Sequence, residues 1–256
     1  MEKQLKMNLS NKKVLITGAA GLLGTEFANF LIKFNAQCIC IDKDLNLLKK
    51  KFGKIKNQNI LYFKCDITKP KELEHLNIIL KKKKILVNTI INNAAINPTP
   101  GKKNKTWNEE FDVGLMGAKN VINEFSKNMI KNKSGNIINL GSDLSVIAPN
   151  QEIYEKAKLK YIKPLSYSLI KHGILGMTKY YASLFGKYNI RCNCISPGGV
   201  NNNLNKNLVK EITKLIPLRR MAAKNEYNYA ILFLCSDGLK YMTGQNVVID
   251  GGRSII

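Results

Sequence analysis

Short, continuously apolar runs alternate along this chain with longer helical patterns. "KVLITG" (Lys13–Gly18), "QCICID" (Gln37–Asp42), "NILYFKCD" (Asn59–Asp66), "ILVNTIINN" (Ile85–Asn93), "GNIINLGS" (Gly135–Ser142), "IRCNCISPGG" (Ile190–Gly199) and "NVVIDGG" (Asn246–Gly252) read as seven strands. Helical patterns cover Gly21–Phe34, a lysine-rich stretch after Pro70, Gly114–Lys131, and a segment carrying Tyr167 and Lys171 that runs to Tyr188. The strands lack the in–out alternation of a half-solvated sheet, as expected for parallel strands buried on both faces. Alternation of strand and helix predicts an α/β fold: one doubly wound, mostly parallel seven-stranded sheet with helices on both faces. No repeat, linker or low-complexity segment divides residues 1–256, so a single domain is expected.

Composition narrows the function. At 256 residues and 45% hydrophobic, the chain is long enough for a sizeable core. No apolar run approaches the ~18 residues of a membrane span, and "MEKQLKMNLSNKKVLITG" enters its first strand without a signal-peptide core. A cytoplasmic protein with no membrane partner is expected. The six cysteines include no CxxC pair. Cys38 and Cys40, and likewise Cys192 and Cys194, alternate on strands and so share a face; free buried thiols in a reduced cytosol are favoured over a metal site. The net charge of +23 raises nucleic acid as a partner. The lysines are scattered, however, and their runs at Lys49–Lys51 and Lys81–Lys84 fall where helices should end. No nucleic-acid partner is expected.

Ligands of doubly wound sheets bind beyond the carboxyl ends of the strands, so the residues just after each strand matter most. "TGAAGLLG" follows the first strand. Gly18, Gly21 and Gly24 permit a tight turn, close backbone approach and close helix packing. The helix start at Leu22 and Leu23 offers unpaired N–H groups to a pyrophosphate. Asp42 closes the second strand near the ~20-residue spacing of a ribose-binding acid; its carboxylate suits NAD and repels a 2′-phosphate, while Lys43 softens that repulsion. Asp66 and Ile67 end the third strand and can bracket an adenine, although an aspartate there also serves as a helix cap. Asn93, Ala94 and Ala95 end the fourth strand, with small side chains that admit a ribose. The fifth presents Ser142 and Ser145, and the sixth the turn Pro197–Gly198–Gly199–Val200.

Tyr167 and Lys171 stand about one helical turn apart and share a face. A phenol titrates at about 10, and a neighbouring ammonium favours the phenolate. In isolation the pair is compatible with either a proton-transfer device or two surface residues.

Taken together, "VLITGAAGLLG", "DIT", "NNAA", "GS", "YSLIK", "SPGGV" and "YMTGQNVVIDGG" resemble the short-chain dehydrogenase/reductase family over nearly the whole chain. That resemblance implies a Rossmann-type fold, a nicotinamide cofactor, hydride transfer between alcohol and ketone, and a homodimer or homotetramer. It casts Tyr167 as general acid/base, Lys171 as the group that lowers its pKa and holds the nicotinamide ribose, and Ser142 as the donor to the substrate oxygen, with Ser145 the runner-up. The chain departs from the family in three places. Its glycines read GxxGxxG. Gly114 stands where members carry a supporting asparagine, so a relay through Asp112 or Asn93 is expected. The segment between Ser142 and Tyr167 is long and polar, and is expected to cover the substrate, with Asn150, Gln151, Glu152, Tyr154 and Lys156 as hydrogen-bonding groups and Lys156 and Lys158 as phosphate partners. "APNQEIYE", "IPLRRMA" and the flanking motifs resemble the flagellin modification protein A group, which implies a sugar or sugar-phosphate substrate.

Overall fold

A computed structural model describes residues 7–101 and 105–256. Seven strands form one sheet in the order β3-β2-β1-β4-β5-β6-β7: β1 Lys13–Thr17, β2 Gln37–Asp42, β3 Ile60–Lys64, β4 Thr89–Asn92, β5 Gly135–Leu140, β6 Ile190–Pro197 and β7 Asn246–Ile249. Every pairing is parallel. The order reverses at β1, which pairs with β2 on one side and β4 on the other. A crevice opens above such a reversal because the connecting helices leave toward opposite faces.

The helices are α1 Leu22–Leu31, α2 Leu45–Phe52, α3 Pro70–Lys82, α4 Trp107–Phe111, α5 Ala118–Lys131, α6 Glu152–Lys156, α7 Leu165–Gly186, α8 Lys206–Lys214 and α9 Asn228–Cys235. One core joins α1 and α9 to one face of the sheet through Phe27, Leu31, Tyr227, Ile231 and Leu234. A second joins α3, α5 and α7 to the other through Leu73, Val121, Phe125, Tyr181 and Phe185. β6 is buried along its whole length, consistent with its continuous apolar reading. Each large aliphatic or aromatic side chain so buried contributes roughly 1.5–3 kcal/mol.

Most strands are a residue or more shorter than their apolar runs, and two boundaries differ by four residues or more. β4 begins at Thr89 rather than Ile85, because Ile85 and Val87 first pack among the helices of the second core. The helix expected from Gly114 begins at Trp107, where Thr106 and Glu109 form a capping box; the "TWNE" signature that announces it was open to reading. Between α4 and α5 the backbone widens into a π-turn over Asp112–Gly117. Gly114 and Gly117 sit in that turn, and a Cβ on either would lie 2.5 Å from Ile170 or 2.6 Å from Ile67. The two glycines let the helix close onto both isoleucines.

Candidate active site

At the carboxyl ends of the strands lies a cavity of about 720 Å³. Gly18, Gly21, Leu22, Leu23, Asp42, Asp66, Ile67, Asn93, Ala94, Ala95, Ser142, Tyr167, Lys171, Pro197, Gly198 and Val200 all line it. Gly24 does not. It packs beneath the loop, where a Cβ would lie 2.6 Å from the Gly18 carbonyl and 2.8 Å from Ala19 Cα, which is the close-packing role expected of it. Ser145 is also absent from the lining. It is buried, and its Oγ accepts the Ser142 N–H at 2.9 Å.

The half of the cavity over β1–β4 is shaped by backbone. Gly18 has φ +59°, and a Cβ there would meet Ala94 Cα at 2.7 Å. Asn93 locks the loop by donating its side-chain amide to the Thr17 and Gly18 carbonyls, each at 3.0 Å. Gly21 caps α1 without a side-chain bond, leaving the first N–H groups of the helix without intrahelical partners. Asp42 is oriented by the Ala20 and Asp44 N–H groups, both at 3.2 Å. Asp66 does not cap α3; that position belongs to Lys69, and Asp66 closes a local turn onto Thr68. A loop that a Cβ would fill, a helix start and a carboxylate at the end of β2 together fit a dinucleotide, with the pyrophosphate at Gly21–Leu23 and a ribose at Asp42. The turn after β6 is less free than expected. The Gly198 N–H donates to Ile249, and its carbonyl accepts the Tyr227 hydroxyl.

The half over β5–β7 is shaped by side chains. Ser142 Oγ donates to Asp143 Oδ1 at 2.8 Å, and Arg253 Nη1 donates to Asp143 Oδ2 at 2.7 Å, Asp143 being buried and Arg253 partly so. Burial pushes the Tyr167 phenol up to about 12, with the neighbouring Ser142 hydroxyl opposing the shift. The lowering expected from Lys171 is not what this geometry produces: Lys171 Nζ donates to the Leu140 carbonyl at 2.9 Å and lies 5.7 Å from the Tyr167 ring centroid. Burial brings Lys171 itself down to about 8. The nearer ammonium is Lys163, 3.9 Å from the centroid.

The expected relay groups stand elsewhere. Asp112 is exposed and outside the lining, and Asn93 commits its amide to the glycine loop. Ile170 occupies the space beside Gly114. In the segment between Ser142 and Tyr167, α6 packs Ile153, Tyr154 and Ala157 against Leu208 and Ile212 of α8. Asn150 and Tyr154 reach the cavity, whereas Gln151, Glu152, Lys156 and Lys158 do not. Lys156 pairs with Glu152 on the outer surface, and Gln151 holds the Lys163 backbone through two hydrogen bonds. Besides Lys171, Lys163 and Arg253 line the cavity here, two cations absent from the sequence-based expectations. Arg253 follows the last strand, and the rule applied to the other strand ends would have found it. Lys163 has no such signal, because only folding brings it to Asn97.

The six cysteines are free and buried. Among the described residues no three His, Cys, Asp or Glu side chains gather as a metal site, and no helix is long and apolar enough to cross a membrane.

Residues 18–254 match a family model described as enoyl-(acyl carrier protein) reductase. The chain is 27% identical to the NAD-dependent glycerol dehydrogenase of Listeria innocua, covering 97% of this chain and 96% of that protein. It is 28% identical to a 3-oxoacyl-(acyl-carrier-protein) reductase of Buchnera aphidicola, covering 96% and 98%. Among solved structures, a short-chain dehydrogenase of Leptospira borgpetersenii with bound NAD+ superposes with a TM-score of 0.88 at 29% identity, covering 99% of this chain and 97% of that one.

Proposed function

This chain belongs to the short-chain dehydrogenase/reductase family and is an NAD(P)-dependent oxidoreductase with NAD as its cofactor, and from that premise we propose that it interconverts a hydroxyl and a keto group on a carbohydrate or carbohydrate phosphate. The observation that carries the substrate class is a cluster of side-chain amides and hydroxyls in a cavity otherwise lined by apolar groups such as Ile153, Leu204, Leu208, Ile212 and Met221. Asn97, Asn150, Tyr154, Asn202, Asn203 and Asn205 line it alongside Ser142, and a polyhydroxylated molecule needs that many donors and acceptors to replace its water. The Listeria innocua relative is named for a polyol, glycerol.

When bound, the nicotinamide supplies or takes up the hydride. The chain's own residues handle the proton. Tyr167, held protonated by its burial, donates to the oxygen that gains charge as a ketone is reduced. Ser142 orients that oxygen once its hydroxyl turns from Asp143. Lys171, anchored on Leu140, offers its remaining N–H groups to the nicotinamide ribose. Oxidation of an alcohol needs the phenolate and therefore gains with rising pH. The flagellin-glycan setting is the finer part of the proposal, supported by the motifs "APNQEIYE" and "IPLRRMA". A cytoplasmic location is supported by the six free thiols, and a homo-oligomer by the apolar surface of α7, where Leu169, Tyr180 and Leu184 are exposed while Ile170 and Ile174 are buried. The test is NAD(H) consumption over hexose phosphates, nucleotide sugars and polyols. Turnover of a carbohydrate that Tyr167→Phe abolishes supports the reading, whereas turnover confined to acyl thioesters overturns it.

A further inference from the structure

Lys163 is a buried cation with no anion of its own. It is 8% exposed, lines the cavity, and donates to two neutral acceptors, Asn97 Oδ1 at 2.7 Å and the Pro98 carbonyl at 2.9 Å. Among the described residues no carboxylate forms an ion pair with it. The carboxylates nearby are committed elsewhere: Asp143 to Arg253, Ser142 and the Leu144 N–H, and Glu110, outside the lining, to the Ser166 hydroxyl. Among the described residues, the cations lining this half are Lys163, Lys171 and Arg253, and Asp143 is the only carboxylate lining it. A buried charge is costly unless an opposite charge or a full set of hydrogen bonds compensates it. An ammonium has three donors, and Lys163 commits two of them to these acceptors.

Several contacts hold the cation in place rather than letting it withdraw to water. Gln151 fixes its backbone from both sides. Tyr161 donates to the same Pro98 carbonyl at 2.7 Å. Pro164 is the N-cap of α7, so the helix that carries Tyr167 starts one residue later. The anchoring costs something: burial pulls the ammonium down to about 8, with Asp143 and Glu110 opposing. A surface lysine would need none of these restraints.

We propose that Lys163, held by Asn97 and Pro98 beside Tyr167, is the binding group for an anion carried by the substrate, so that the enzyme acts on an acidic hydroxy compound bearing a carboxylate or phosphate. The inference rests on the proposed dehydrogenase reading of the same cavity and narrows its substrate class. Arg253 is the weaker partner, because Asp143 already holds its guanidinium. Ser142 and Tyr167 take the reacting oxygen, and Lys163 fixes the distance from that oxygen to the charged end.

The experiment uses the full chain loaded with NAD+, as wild type, Lys163→Met and Lys163→Arg. Retained NADH binding serves as the folding control. Calorimetry measures affinity for D-glucose, D-gluconate and glucose 6-phosphate, and separately for inorganic phosphate and acetate at constant ionic strength. The expected result is that the wild type prefers at least one acid over glucose by about tenfold or more. That preference should disappear in Lys163→Met and return in part in Lys163→Arg. Gluconate against glucose 6-phosphate tells carboxylate from phosphate, and the simple ions report the site even if neither sugar fits. Turnover is read in parallel. If no carbohydrate is oxidised but the ions bind in a Lys163-dependent way, the carbohydrate reading fails and the anion site stands. If neutral and acidic ligands bind alike, if no anion binds, or if Lys163→Met lowers kcat equally for both kinds of substrate, the anion site is overturned and Lys163 only tunes Tyr167.

Discussion

The two halves of the cavity are built from different materials. Over β1–β4 the walls are largely backbone: a left-handed glycine and a bare helix start, with small and aliphatic side chains and the carboxylates Asp42 and Asp66 at or beyond the strand ends. Over β5–β7 charged and polar side chains held by partners far away in the chain stand among apolar ones such as Ile153, Leu208 and Met221. Arg253 reaches Asp143, and Lys163 reaches Asn97. A dinucleotide presents the same pyrophosphate and ribose wherever it is bound, so backbone geometry can recognise it. Substrates differ in charge and in the placement of hydroxyls, and side chains can change to follow them without disturbing the sheet. The contrast predicts that substitutions over β1–β4 alter cofactor affinity or choice, while those over β5–β7 alter turnover and substrate charge preference.

The sharpest test of that division is Tyr167→Phe. The ring stays and only the hydroxyl is lost, so turnover should fall on the order of 10²–10⁴-fold while the Kd for NADH stays within about twofold of wild type. Stopped-flow turnover and fluorescence titration on the same protein check both halves of the statement. A parallel loss of NADH affinity would mean that the two halves are not separable at this residue.

The next largest effect is on stability. Arg253→Met leaves the Asp143 carboxylate buried with only Ser142 and Leu144 as partners. Removing one member of a buried pair typically costs about 3–5 kcal/mol, which for this largely buried pair is a fall in Tm of roughly 6–20 °C for a chain of this size. Calorimetry should also show that Arg253→Met/Asp143→Leu recovers most of the loss, since both charges are then gone. If the single variant melts like wild type, the pair is not a structural clamp of this half.

How much of each half was legible in the sequence follows from the same division. Gly18, Gly21 and Asp42 could be placed because a turn and a strand end are local objects, set by residues a few positions apart. The sheet was legible for the same reason, in runs such as "KVLIT" and "RCNCIS" that are apolar on both faces. The side chains of the other half resisted. Lys156 and Lys158 looked like phosphate partners because they sit in a polar segment, yet α6 turns Ile153 and Tyr154 inward and sends Lys156 out to Glu152. The amphipathic pattern of that short helix, with α8 as its partner, decides which lysines face the cavity. The consequence expected of Gly114 was not legible: the π-turn and Ile170, rather than a substitute polar group, occupy that space.

Over β1–β4 the matching test is cofactor choice. Asp42→Ala removes a carboxylate that the Ala20 and Asp44 N–H groups hold in position. Loss of one charge-assisted hydrogen bond is worth about 1.5–3 kcal/mol, so NAD(H) affinity should weaken roughly 10- to 100-fold. NADP(H) affinity should hold or improve as the repulsion of its 2′-phosphate disappears, with Lys43 free to approach. Titration of both cofactors into both proteins measures the crossover. Turnover at saturating cofactor should change little, and a large fall in kcat would show that this half reaches further into the chemistry than its position suggests.

The smallest effect is a pH slope, and it isolates the buried cation over β5–β7. Burial lowers Lys163 from 10.5 to about 8 in the folded protein. The groups around it are Asn97 and Pro98 from the loop after β4, Tyr167 and Lys171 from α7, Asp143 from the turn after β5, and Glu110 from α4. Below pH 8 the lysine is charged in both folded and unfolded states, so its contribution does not vary with pH. Between about 8 and 10.5 the folded state has released the proton and the unfolded state still holds it. The unfolded state then binds more protons, and stability rises with pH by about 1.4 kcal/mol per unit for this one group. Buried thiols and phenols pull the other way above pH 9, because their folded-state values are raised, so the total curve is not informative. The difference between wild type and Lys163→Met is informative, because those groups are common to both proteins. Denaturant titrations at pH 7, 8, 9 and 10 should show that difference level from 7 to 8 and then moving in favour of the wild type. Phosphate at saturating concentration should delay the rise to higher pH, since a bound anion keeps the ammonium charged in the folded state. A flat difference across the whole range would mean that Lys163 reaches water and holds its ordinary pKa.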